Sequence, residues 1–202
     1  MKEFWNARYN AESYAYGKNP NQYFKDQIDL LPPCKILLAA EGEGRNAVYA
    51  ASLGWEVFAY DFSEKAYQKA MALAQEKQVE INYQIASLSD LTFADAFFDV
   101  IGLIYVHFPD SIRTSNHQKL SSLLKKRGRI ILEAFSTNHP QYQKINPRVG
   151  GPKMPTQLYS EEKLRTDFEG FEFTQLKEEK ITLEEGTFHN GITTVMRMHA
   201  LK

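Results

Sequence analysis

Six consecutive residues, Gly42-Glu43-Gly44-Arg45-Asn46-Ala47, form a G-x-G-x-x-A run. They follow a short apolar stretch (35–40) and open a segment with small and apolar residues at helical spacing (45–53). In that setting the glycines let a backbone turn approach a ligand closely, and the pattern marks a nucleotide-type binding turn. A dinucleotide would lay its pyrophosphate on the helix N-terminus. Here Glu41 and Glu43 flank Gly42. At about 4 Å and an effective dielectric near 20, each like-charge pair costs on the order of 4 kcal/mol. A cationic ligand has the opposite preference. Solvation of the two glutamates, or pairing with Arg45, is the alternative reading. Asp61 lies 17 residues beyond Gly44 at the end of a second apolar run, where a carboxylate can accept from ribose hydroxyls.

A nucleoside bearing a sulfonium and an ammonium, and no phosphate, suits this combination. S-adenosylmethionine is such a ligand, with S-adenosylhomocysteine as its product.

These residues need a scaffold that brings strand ends together. Short apolar runs at 35–40, 55–60, 81–85, 98–105 and 129–135 read as strands. Helical spacing at 45–53, at 64–78 behind Ser63, and from Asp110 or Ser111 to about 125, stopped at Gly128, alternates with them. Asn19-Pro20 is read as opening an earlier helix over 20–31. Strand–helix alternation with continuously apolar strands predicts a parallel sheet covered on both faces, doubly wound and right-handed. After a short helix from Ser160 to about 168, the tail changes character. Runs at 171–183 and 192–201, joined by EEGTFHNG, have no helix between them and must pair antiparallel. The expected fold is α/β, a doubly wound seven-stranded mostly parallel sheet with a C-terminal antiparallel hairpin, in one domain over 1–202.

Four stretches resemble the class I S-adenosylmethionine-dependent methyltransferases, whose Rossmann-like sheet ends in such a hairpin. They are FWNARYNAESYAYGKNPNQYF (4–24), ILLAAEGEGRNAVYAASLGWEVFAYDFS (36–63), FFDVIGLIYVHFP (97–109) and RGRIILEAF (127–135). More narrowly, the chain is similar to the small tellurite-resistance-type methyltransferases, which are like the thiopurine methyltransferases. GGP at 150–152 and EEGTFHNG at 184–191 resemble features of a bacterial subgroup. The resemblance implies that Ala40, Glu41 and Gly42 wrap the methionyl part of the cofactor. It implies Asp61 on the ribose, Phe62 beside the adenine, and Ser87 and Leu88 at the adenine edge. It puts Ile104, Tyr105 and His107 beneath the cofactor, and Tyr14, Tyr16 and Gly17 above it in an N-terminal covering arm (1–31). Many relatives have Asp at the positions of Leu38 and Ser87, and Gly at Ala40.

Methyl transfer from a sulfonium is an in-line displacement, for which alignment supplies about 7–11 kcal/mol of barrier lowering. A soft nucleophile, such as a thiol or a chalcogen oxyanion, needs little base catalysis; a hydroxyl or amine needs a general base. His107 is the candidate base, with His189 behind it, and a packed loop histidine is the competing role. Residues 136–158 hold four prolines and a Gly-Gly pair without helix or strand period, and are read as a substrate lid loop.

The 202 residues carry a net charge of −1, which gives no electrostatic reason to expect nucleic acid or an anionic membrane. Cys34 is the only cysteine, so no internal disulfide forms and no metal site is expected. The first residues have no apolar leader core. The expectation is a cytoplasmic protein, a monomer or weak dimer, whose partner is a small-molecule methyl acceptor. A non-catalytic S-adenosylmethionine-binding module and a nicotinamide-dependent oxidoreductase are the alternatives.

Overall fold

The computed structural model describes residues 2–202. Strands β1 (Lys35–Ala39), β2 (Glu56–Asp61), β3 (Asn82–Ile85), β4 (Phe98–Ile104), β5 (Leu124–Phe135), β6 (Glu172–Glu185) and β7 (His189–Leu201) form one sheet. Its order is β3-β2-β1-β4-β5-β7-β6. β1 through β5 pair parallel, while β7 runs antiparallel to both β5 and β6. This is the α/β sheet with a terminal antiparallel hairpin expected from the sequence.

Alternation along each strand divides the core in two. Leu37, Ala39, Ile101, Leu103, Ile130 and Leu132 face one side, where Leu120 and Leu123 of helix α5 (Asp110–Leu123) and Leu164 of α7 (Glu161–Asp167) cover them. Ile36, Leu38, Val57, Ala59, Val100 and Ile131 face the other. There they meet α2 (Gln22–Ile28), α3 (Arg45–Ser52) and α4 (Glu64–Glu76). Burial on both faces is why these strands read as unbroken apolar runs. It also explains Leu38, which is 1% exposed and packs in the core with Phe24.

Four boundaries differ from the sequence reading. α2 starts at Gln22, because the Asn21 side chain accepts from Phe24 N and so caps the helix one residue past Pro20. α5 begins at Asp110 after Pro109 and ends at Leu123, near the expected 125, while β5 begins at Leu124 rather than at 129. Leu124 already pairs with Phe98, and the pairing shifts register before resuming at Arg129. Lys2–Arg8 forms a helix, α1, that the sequence reading did not predict. Finally, the 136–158 run is not structureless. It contains helix α6 (His139–Ile145), with Pro140 in its first turn, and two short 3-10 turns at Pro147–Val149 and Pro155–Gln157. Proline fits the first turn of a helix because the missing N–H has no partner there anyway; three of the four prolines that suggested a loop, Pro140, Pro147 and Pro155, start short helical turns instead.

No helix among the described residues is long and apolar enough to cross a membrane.

Gly44, with φ 84°, ends the turn and caps α3, and a Cβ there would lie 2.6 Å from the Cβ of Ala70 in α4. Gly44→Ala adds left-handed backbone strain to overpacking. Together they should cost about 2–4 kcal/mol in urea unfolding; a loss under about 0.5 kcal/mol, within the usual range of surface substitutions, would contradict this packing.

Candidate active site

The carboxyl ends of the parallel strands converge on one edge of the sheet, the position where open α/β sheets bind ligands. β1 delivers the turn. Ala40 adopts φ 46° and Gly42 φ 64°, so the chain reverses sharply into α3. The Glu41 carboxylate turns back onto that helix and accepts from the backbone N–H groups of Asn46 and Ala47, each at 2.8 Å. Gly44 offers no side chain to cap α3, and Glu41 supplies the missing acceptor. Burial pushes its carboxyl up to about 7, with these hydrogen bonds pulling the other way.

Glu43 is also occupied. It accepts from Ala15 N at 2.7 Å and pairs with Lys69 at 2.7 Å. Arg45 pairs with neither glutamate, but with Glu185 at 2.8 Å. The acidic turn therefore does not present two free carboxylates to a cation. What it does is fill the α3 N-terminus with a carboxylate, on the N–H groups that a dinucleotide's pyrophosphate would need.

Asp61 ends β2 and is 5% exposed. One carboxylate oxygen accepts from Gly42 N at 3.2 Å and the other from Ser63 N at 2.8 Å. Burial pushes its pKa up to about 6 against those hydrogen bonds. Parallel pairing sets Asp61 beside Ile85, which ends β3 and is 46% exposed. Ile85 and half-buried Phe62 place apolar surface next to the carboxylate. Ser87 bonds locally to Asp90 in a capping box, and Leu88 is buried in the core, so the two residues named together in the sequence reading face different surroundings.

The N-terminal arm lies over this edge. Ser63 Oγ donates to Asn6 and Lys2 pairs with Glu64, which holds α1 on α4. Tyr9, buried and stacked on Trp5 at 5.5 Å, points its hydroxyl at the turn; a Cβ at Gly42 would sit 2.8 Å from it. Tyr14 turns aside and donates to Lys69 O at 3.0 Å. Tyr16 accepts from Arg8 at 3.2 Å, and its ring lies 4.5 Å from that of His189. Gly17, with φ 75°, turns the chain after Tyr16. Tyr9 escaped the sequence reading although Trp5 and Tyr9 are four residues apart, the spacing of neighbours on one helix face.

Ile104 ends β4, and Tyr105 follows with φ 56° and donates to Glu133 at 2.9 Å. Glu133, 1% exposed, also accepts from Asn21 at 2.7 Å and from Arg197 at 2.6 Å. Asn21 further donates to Glu185 at 2.9 Å. Sequence periodicity could not find Glu133, inside a strand-like run, or Glu185, read as part of the joining segment 184–191 and placed by the structure at the end of β6.

His107 is half-buried, with both nitrogens engaged. Nδ1–H donates to Gln157 O at 2.7 Å, and Nε2 accepts from Phe135 N at 3.3 Å. Burial pushes its pKa down to about 3. It is a neutral strut between β5 and the 136–158 segment, and it has no lone pair left for an acceptor proton.

Comparison with known proteins now bears on this arrangement. A family profile described as a methyltransferase domain matches residues 36–128. A Schizosaccharomyces pombe protein described as an uncharacterized methyltransferase is 32% identical over 114 residues, covering 54% of this chain and 77% of the yeast protein. Two solved structures share the fold. One comes from work on conversion of a disulfide bond into a thioacetal group during echinomycin biosynthesis, with TM-score 0.80, 18% identity and coverage of 100% of this chain and 91% of that one. The other is TehB from Haemophilus influenzae, with TM-score 0.71, 15% identity and coverage of 100% and 66%. The chain belongs to the class I S-adenosylmethionine-dependent methyltransferases and is a distant relative of TehB.

Asp61 yields a pH test. Hydroxyl donors and a cationic ligand both favour its ionised form. Affinity for S-adenosylmethionine should therefore rise with pH through about 6, by about tenfold between roughly pH 5 and 7. Asp61→Asn should flatten that dependence in calorimetric titrations, and an unchanged slope would remove Asp61 from the site.

Proposed function

We propose that this methyltransferase transfers the methyl group of S-adenosylmethionine to a small-molecule acceptor at the carboxyl edge of its sheet. The observation that carries the placement is the buried Asp61 carboxylate, fixed by Gly42 N–H and flanked by the exposed Ile85. A charged acceptor beside an apolar shelf fits a ribose with its base attached. In this reading Asp61 accepts from the ribose hydroxyls, while Phe62, Ile85 and Ser87 border the adenine. Ala40, Glu41 and Gly42 line the methionyl end, and Tyr9, Tyr16 and Gly17 cover it. Ile104 and Tyr105 form the floor.

Bound S-adenosylmethionine supplies an electrophilic methyl on sulfur. The chain supplies alignment and exclusion of water, which in-line displacement mainly requires. Exclusion of water falls to two segments that each pack against the β6–β7 turn. The arm reaches it from one side. From the other comes the 136–158 lid, tied down by His107 to Gln157 O, by His139 Nε2 to Gly150 O at 3.0 Å, and by Thr193 to His139 Nδ1 at 2.6 Å. A thiolate or chalcogen oxyanion needs nothing further from the protein.

The reading predicts that calorimetry detects S-adenosylhomocysteine and no NAD. Asp61→Ala should weaken S-adenosylhomocysteine by about 10- to 100-fold, the loss of a charge-assisted hydrogen bond of about 1.5–3 kcal/mol. Replacing 140–152 with a short Gly-Ser linker should keep cofactor binding and abolish transfer. NAD binding in preference would sink the cofactor placement, and full transfer without the segment would sink the lid.

A further inference from the structure

Three histidines crowd the carboxyl ends of β4 and β5 and the amino end of β7, and they are not equivalent. His107 and His139 each use both ring nitrogens on protein partners. His189, the first residue of β7, uses only Nδ1, which faces Glu185 Oε2 at 3.1 Å. Its Nε2 has no protein partner among the described residues. The residue is 5% exposed.

The carboxylate fixes the tautomer. Burial opposes it, yet Arg45 and the His189 N–H hold Glu185 down at about 2. An ionised carboxylate only accepts, so Nδ1 carries the proton and Nε2 the lone pair. Glu185 is itself fixed by Arg45 and Asn21. A histidine oriented by a carboxylate, with the opposite nitrogen free, is the arrangement of a general base.

The position suits an acceptor with a flat ring. The His189 ring lies 4.4 Å from Tyr105 and 5.3 Å from Phe135, at the ends of β4 and β5, and 4.5 Å from Tyr16 in the arm. The lid lies directly against it, since a Cβ at Gly150 would come within 3.0 Å of His189 Cδ2 and run into Phe188 O.

We propose that His189, positioned by Glu185, is the general base for an aromatic acceptor that still carries a proton on its reacting oxygen. The inference rests on the cofactor placement proposed above. As the acceptor oxygen bonds to the methyl carbon, the carbon–sulfur bond breaks and its electron pair stays on sulfur. The hydroxyl proton passes to Nε2. The products are the aryl methyl ether, S-adenosylhomocysteine and a His189 imidazolium beside Glu185, which then returns its proton to water.

The groups facing His189 set its titration. Glu185 favours the imidazolium, while burial, Arg45 and Arg8 oppose it. Tyr16 and Tyr105 face it in neutral form, since burial raises both hydroxyls. His107 and His139 beyond Phe135 are kept neutral by burial. The net result lies below the ordinary histidine value, so the base is available at neutral pH.

The test uses the intact protein and two probes, 4-methylphenol, which keeps its proton near neutral pH, and thiophenol, which largely gives it up. Wild type should methylate both. His189→Gln should slow 4-methylphenol about 100-fold or more, the size of general base catalysis, and change thiophenol less than about threefold. Glu185→Gln should move the inflection of the 4-methylphenol pH profile to lower pH. A second readout needs no turnover. With S-adenosylhomocysteine bound, 4-nitrophenol should ionise at lower pH on the wild type than in solution, and His189→Gln should abolish that absorbance shift. Equal loss on both acceptors, no loss on either, or a shift retained in His189→Gln overturns the proposal. So does a wild type that binds S-adenosylhomocysteine and leaves 4-methylphenol unmethylated. Failure to bind S-adenosylhomocysteine instead overturns the cofactor placement beneath it.

Discussion

Two carboxylates, one buried and one nearly so, hold the functional edge of this protein together. Glu133 and Glu185 come from different strands and are bridged by one side chain, the Asn21 amide. Each is matched by an arginine, Arg197 on Glu133 and Arg45 on Glu185. The network joins the start of α2, the start of α3, β5 and the terminal hairpin. A buried carboxylate without its partners costs several kcal/mol, so these five groups stand or fall as a unit. Everything placed at the edge depends on it. Tyr105 is oriented by Glu133, His189 by Glu185, and the glycine turn is anchored through Arg45.

The glycine turn is stabilised from within by the same principle. Glu41 caps α3, Glu43 pins Ala15 of the arm, and Asp61 receives the Gly42 N–H. Three carboxylates hold three backbone segments in place, and only Asp61 also has an apolar shelf beside it. This explains how the turn tolerates Ala40: the backbone there is left-handed, at φ 46°, but its neighbours on both sides are tied down.

The sheet was legible in the sequence because both its faces are buried. The unbroken apolar run at 100–105 reflects that burial, and the two long strands without an intervening helix left only antiparallel pairing. Boundaries were less legible where a side chain, not a periodicity, decides them. Asn21 rather than Pro20 starts α2 because of one hydrogen bond, and three prolines after β5 begin helical turns rather than break them. Within the site, Asp61 and the turn were readable from local order. Glu133, Glu185 and Tyr9 were not, because their meaning comes from partners far along the chain. The acidic turn was read with the right outcome for an incomplete reason: Glu43 is neutralised by Lys69, and the case against a dinucleotide rests on Glu41 already capping α3. His107 follows β4 as expected, yet folding spends both its nitrogens on the lid and β5.

The most direct measurement of the account is a crystal structure with S-adenosylhomocysteine bound. It should show the ribose hydroxyls on Asp61, the adenine against Ile85 and Phe62, and the sulfur near Tyr105, with Glu41 still capping α3. A cofactor bound away from Asp61, or one that displaces Glu41 to lie on the α3 N-terminus, would contradict it.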